Sequence, residues 1–203
     1  MTTSGTTSGG KKVRSFIAIP VSDAGIQALE GVVNILDPEM GRHIRWVRPE
    51  GIHVTLKFMG DIAVATAEKI LEVLPGAMAG FRPFELSISG LGAFPNLRRP
   101  RVLWAGLAGE LELLSELHAA VDDAVGKLGL PREQRAFSPH LTLGRVRREV
   151  TDGQLRKIEE IISTAEPPSA SPWTAGTVNL MRTELDPAGS RHYLVGSAAL
   201  VGG

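Results

Sequence analysis

The sequence contains no cysteine. That excludes disulfides, zinc-thiolate sites and thiol nucleophiles, fits a reducing compartment, and leaves histidine and carboxylate chemistry as the available repertoire. There is no excess of charge of either sign, since 22 Lys and Arg balance 22 Asp and Glu. A chain so balanced has no overall basic field to drive non-specific binding to long duplexes, so any contact with nucleic acid must be local and directed at short ends. No apolar run approaches the length that spans a bilayer, and Val13 to Val21 is interrupted by Arg14 and Pro20. No glycine-rich run ends in Gly-Lys-Ser/Thr, which removes P-loop chemistry on ATP. The opening MTTSGTTSGGKK lacks the apolar stretch of a secretory signal. It reads as a disordered leader over 1–12, ahead of one domain over 13–203 in a cytoplasmic protein that does not engage membranes.

With 203 residues, 43% of them hydrophobic, the chain can bury a substantial core as one domain or two packed lobes. Short β-branched runs over 13–20, 44–47, 52–58, 84–94, 101–107 and 138–146 predict strands, and 178–185 with 192–200 predicts a closing hairpin around Pro187-Ala188-Gly189. Between them, apolar residues at helical spacing predict four helices. The first is capped by Ser22 or Asp23 and stopped at Asp37-Pro38; the next spans 63–78. The third carries Leu111, Leu114, Leu117, Val121, Val125 and Leu128 up to Gly129, and the last opens on the capping-box spacing Thr151-Asp152-Gly153-Gln154. Residues 167–172 read as a loop. This mixture predicts an α+β fold.

Two segments repeat one pattern: Ile52-His53-Val54-Thr55-Leu56 and Pro139-His140-Leu141-Thr142-Leu143. Side chains alternate along a strand, so His53, Thr55 and Lys57 are expected on one face, and His140, Thr142 and Gly144 on one face of the second copy. Each strand then offers an imidazole and a hydroxyl about 6–7 Å apart. Two such strands lining a cleft suit a phosphodiester. Opening a cyclic phosphate with water requires one group to accept the water proton and another to protonate the departing ribose oxygen. Imidazole serves both roles near neutral pH. Threonine hydroxyls can donate to the non-bridging oxygens as charge develops. Neither a metal nor another cofactor is needed.

The surroundings of the two motifs extend the match. RSFIAIPV, RWVRPEGIHVTLKFMG, GAFPNLRRPRVLW, FSPHLTLGRV and a closing strand with Tyr193 together resemble the 2H phosphoesterase superfamily. The resemblance is to its RNA 2′,3′-cyclic phosphodiesterase branch, also called 2′-5′ RNA ligase-like, from about Arg14 to Leu200. It implies two similar lobes, each a mainly antiparallel sheet covered by helices, around a central cleft. It also implies that His53 is the proton donor, His140 the proton acceptor, and Thr55 and Thr142 the phosphate clamps. The implied substrates are RNA 3′ ends or cyclic nucleotides, opened to a 2′-phosphate and a 3′-hydroxyl; the chain is separately expected to act as a monomer, although its sequence leaves the oligomeric state open. Where relatives often carry Ser in the penultimate strand, this chain has Thr183.

Other candidates are less determined by pattern. Lys57 either steadies the phosphate or is a solvated strand-end lysine. Arg145 falls on the apolar face by alternation and reaches the cleft only if the strand bends. Phe94 with Arg98, Arg99 and Arg101 suits an RNA backbone and a stacked base, or is an exposed charged turn. Phe16 reads as core, His118 as a boundary residue, and His43 and His192 carry no assigned role. Two other functions fit the same residues: a 2′-5′ RNA ligase running the reverse reaction, and a catalytically silent module that binds RNA ends.

Overall fold

The computed structural model of the protein describes residues 11–166, 172–186 and 189–202. Most of the expected leader and most of the 167–172 loop therefore lie outside the described residues. The chain runs β1 (Lys12–Pro20), α1 (Asp23–Met40), β2 (Ile44–Trp46), β3 (His53–Ala63), α2 (Val64–Met78), β4 (Phe84–Phe94) and β5 (Val102–Gly109). It continues through α3 (Leu111–Gly126), β6 (His140–Val146), α4 (Asp152–Thr164), β7 (Trp173–Ala175), β8 (Thr177–Asp186) and β9 (Gly189–Ala199). β1 begins at Lys12, inside the stretch expected to be leader. β7, three residues long, pairs with β4 and was not expected from sequence. Too short to show a period, it is a strand only because an edge was available to receive it.

The expected α+β architecture is present, and its two halves join in one sheet of order β7-β4-β5-β6-β3-β1-β8-β9, with β2 also on β6. Every recorded pairing is antiparallel. The halves meet where Val54 of β3 pairs with Leu141 of β6. Ile17, Ile19, Val54, Leu56, Leu141 and Leu143 form the sheet side of the main core, against Ile70, Leu74 and Met78 of α2 and Leu114, Leu117, Val121 and Val125 of α3. A second cluster packs Val32, Leu36 and Met40 of α1 and Ile158 and Ile162 of α4 around Ile44 and Leu103. Burial of side chains this large contributes about 1.5–3 kcal/mol each, which holds the two histidine strands on a fixed base.

The caps follow the sequence in detail. Ser22 accepts from the Gly25 amide at 3.1 Å, and Thr151 with Gln154 forms the reciprocal capping box. α1, however, continues through Asp37-Pro38 to Met40. The expected stop at proline does not occur because buried Leu36 and Met40 anchor both sides of Pro38 in the second core. Tertiary burial outweighs the lost hydrogen bond.

Candidate active site

β3 and β6 each carry an irregularity at the same place. Along β1 the pairing slips between Ile17 and Ala18, which face Lys57 and Thr55. Along β5 it slips between Leu103 and Trp104, which face Gly144 and Thr142. One extra residue, Leu56 in β3 and Leu143 in β6, is inserted immediately after each His-x-Thr. A bulge of this kind shifts the alternation downstream by one residue.

The consequence is symmetrical. Leu56 and Lys57 are both buried, as are Leu143 and Gly144, while Phe58 and Arg145 emerge on the side of the histidines and threonines. Lys57 therefore does not share the His53 face. It is 5% exposed, its Nζ paired with the Asp122 carboxylate of α3 and donating to the Pro131 carbonyl at 2.6 Å. Arg145, disfavoured by strict alternation, is brought to the cleft. Gly144 leaves the histidine face and packs so tightly that a Cβ there would lie 2.6 Å from Ile44 and 2.8 Å from Trp46.

The cleft encloses about 570 Å³, and His53, Thr55, Thr142 and Arg145 line it with Phe16, Phe58, Trp46 and His192. An antiparallel register through the Val54–Leu141 bridge sets His53 opposite Thr142 and Thr55 opposite His140, all four on the face away from the buried Val54 and Leu141. The two rings are held alike. His53 Nδ1 is 2.8 Å from the Gly51 carbonyl and His140 Nδ1 is 2.7 Å from the Ser138 carbonyl. A carbonyl oxygen only accepts, so each Nδ1 carries a proton and donates it, and each Nε2 is left to gain or lose one. His140 lies against Phe94, whose ring meets it edge-on at 4.9 Å. Arg101 sits beyond the cleft, in an adjoining groove.

Three residues were not anticipated. Phe16 is buried as expected, but it faces the cleft and stacks on His53 at 4.5 Å with an interplanar angle of 22°. Phe58 is exposed, with the Arg14 guanidinium 4.9 Å above its ring. His192 stands edge-on to His53 at 5.5 Å and is within hydrogen-bond distance of the Thr183 hydroxyl, 3.0 Å from its Nδ1. Thr183 and His192 are direct partners across the β8–β9 hairpin. The link was legible only through that register, which nothing local to His192 reveals.

Burial, more than any other influence, pushes His53 down to about 4, and the neighbouring His192 and His140 act in the same direction. The Gly51 carbonyl, which accepts from Nδ1, opposes the shift. Burial also lowers His192. Among the described residues no group of three or more His, Asp or Glu side chains is gathered as metal ligands would be, and no helix is long and apolar enough to cross a membrane.

Two copies of one strand motif, each with the same bulge and the same imidazole anchoring, imply a duplicated ancestral unit. The LigT like Phosphoesterase family profile matches the chain twice, over 19–104 and 107–192, one His-x-Thr in each match. The chain belongs to the LigT-like phosphoesterases. It is 34% identical to an RNA 2′,3′-cyclic phosphodiesterase of Methanothermobacter thermautotrophicus over 178 residues, 88% of this chain and 94% of that protein. A protein of the same description from Aquifex aeolicus is 33% identical over 156 residues, covering 74% of this chain and 81% of its own. A crystal structure from Thermus thermophilus superposes with a TM-score of 0.73 at 26% identity, over 92% of this chain and 97% of that one. The crystal structure of E. coli LigT with 3′-AMP shares the fold of this LigT-like phosphoesterase at a TM-score of 0.72 and 22% identity, over 94% and 99% of the two chains.

Proposed function

We propose that this chain hydrolyses RNA 2′,3′-cyclic phosphate ends to a 2′-phosphate and a free 3′-hydroxyl, with His53 as proton donor and His140 as proton acceptor. The observation that carries this reading is the pair of imidazoles, each anchored through Nδ1 so that Nε2 is free, set beside two threonines at the junction of β3 and β6. Relatives described as RNA 2′,3′-cyclic phosphodiesterases support the substrate class.

In this mechanism neutral His140 Nε2 takes a proton from water as the water oxygen bonds to phosphorus. The phosphorus–O3′ bond breaks, and protonated His53 Nε2 delivers its proton to the departing oxygen. Thr55 and Thr142 hydroxyls donate to the non-bridging oxygens, and the Arg145 guanidinium adds positive charge beside them. Phe94 offers a ring face next to His140 for a base, and Arg101 meets phosphate farther out.

His53 is neutral in the empty cleft at ordinary pH, since burial holds it at about 4. A cyclic phosphate carries a negative charge, and its entry beside the ring favours the imidazolium. Substrate binding thus produces the proton donor. After turnover His53 is neutral and His140 charged, and exchange with solvent resets both.

The test is turnover of a 2′,3′-cyclic nucleotide in excess EDTA, with the product isomer assigned by phosphorus NMR. Full activity under chelation and a 2′-phosphate product are expected. Loss of activity that a divalent ion restores, or a 3′-phosphate product, defeats the proposal.

A further inference from the structure

Beside the catalytic cleft lies a second groove of about 920 Å³ whose basic lining is Arg45, Arg99, Arg101, Arg145, Arg147 and Arg148, with the carboxylates Glu149 and Asp152 also in the lining. Arg45 and Arg145 line both cavities, so the two adjoin at these side chains. All six arginines are exposed. Among the described residues none of them forms a salt bridge, although seven ion pairs occur elsewhere.

The fold forces these charges together. Arg45 of β2 and Arg145 of β6 are direct cross-strand partners, an arrangement that costs free energy when the charges are alike and nothing lies between them. The amide of Val146 donates to the carbonyl of Arg101 at 3.0 Å and that of Arg147 to the carbonyl of His43 at 2.8 Å. Three neighbouring segments are thereby fixed with their arginines side by side. In a chain of zero formal net charge this concentration is not the by-product of a basic composition. An anion lying along the groove relieves the repulsion, and guanidinium forks match phosphate oxygens in pairs.

We infer that the groove holds the phosphate backbone of single-stranded RNA on the 5′ side of the cyclic end, which makes an oligonucleotide the preferred substrate over a cyclic mononucleotide. This rests on the proposed reaction: a cyclic phosphate ends its strand, so with that end in the cleft the remainder must leave on the 5′ side. The side of the cleft at Arg45 and Arg145 adjoins the groove, whose six arginines form no salt bridge among the described residues. The groove offers guanidinium and no aromatic platform of its own, so it binds the backbone without reading sequence.

The experiment compares kcat/KM for a 2′,3′-cyclic mononucleotide and for a short single-stranded RNA ending in the same group, across a range of potassium chloride. The oligonucleotide is expected to be favoured by about tenfold or more at low salt. Its log–log salt slope should be about −2, as for roughly three neutralised phosphates on a single strand. Arg147→Ala with Arg148→Ala should lower the ratio of oligonucleotide to mononucleotide kcat/KM severalfold and flatten the slope. Lysine at both positions should restore most of the slope. An unchanged ratio in the alanine variant, or an equal loss on both substrates, overturns the inference. If the protein turns over neither substrate, anisotropy of a fluorescent oligonucleotide with a 3′-phosphate separates the two ideas. Salt-sensitive binding that the alanine variant loses upholds the groove while the proposed reaction falls; salt-insensitive binding, or none, overturns the groove.

Discussion

Val54 and Leu141 pair across the junction of the two half-sheets, and both are fully buried. Their contact sets the positions of the groups on the opposite face, because the register that joins them puts each histidine across from the other strand's threonine. Thr55→Val and Thr142→Val remove one hydroxyl donor each. A hydrogen bond to a charged oxygen contributes about 1.5–3 kcal/mol, so each variant should lose roughly ten- to a hundredfold in kcat/KM on a cyclic nucleotide. Unaltered rates in both would exclude the threonines from the reaction.

Lys57 and Asp122 illustrate the bulge in β3. Lys57→Met leaves Asp122, itself 13% exposed, with its charge uncompensated at the edge of the core. A loss of about 3 kcal/mol of stability is expected, in the range for breaking one side of a buried pair. Chemical denaturation measures this. Activity per folded molecule should persist, since the lysine faces away from the cleft. A variant of full stability with collapsed kcat would reverse that placement.

Gly144 occupies the matching position in β6. Gly144→Ala drives a methyl into Ile44 and Trp46, with the nearest approach at 2.6 Å, at a cost of about 1–3 kcal/mol for overpacking. Because the same segment delivers Arg145 to the cleft, KM for a cyclic nucleotide should rise as well. Thermal unfolding and steady-state kinetics together check both effects. A variant as stable as the parent would contradict the tight contact.

His53 links stability and chemistry to pH. The unfolded chain protonates this residue near its ordinary value of 6.5, and the native chain only near about 4. Between those values the unfolded state binds the extra proton. Stability from the neutral ring is complete above pH 6.5 and is lost as pH falls toward 4, by about 3 kcal/mol. His53→Gln should flatten the stability curve across that window. In the parent, imidazole NMR should show the His53 titration moving upward when a 2′-nucleotide is bound. No movement would mean that bound phosphate does not charge the ring.

The division of labour between the histidines is separable by leaving group. On a p-nitrophenyl phosphodiester, whose leaving group departs without protonation, the defect of His53→Ala should shrink. That of His140→Ala should persist, because water still has to lose a proton. Rescue of His140→Ala alone would exchange the two roles.

Much of the fold was written locally. The duplicated His-x-Thr, the capping box at Thr151 and the helical stripes of α2 and α3 depend on residues near one another in sequence, and their periodicity is visible there. The same holds for the alternation that places His53 with Thr55 and His140 with Thr142. What alternation could not supply was the insertion of Leu56 and Leu143, since a bulge is defined by the partner strand and leaves no mark on the strand that carries it. That one-residue shift removed Lys57 from the cleft and brought in Phe58 and Arg145. Pro38 stayed within α1 because distant apolar residues held the helix together. His192 reached His53 through a hairpin register, and Arg45 met Arg145 through the pairing of β2 with β6. The sequence by itself determined which chemical groups are present and which strands carry them. The tertiary structure decided which of those groups face one another, because register, bulges and burial arise only when segments far apart in the chain are packed together.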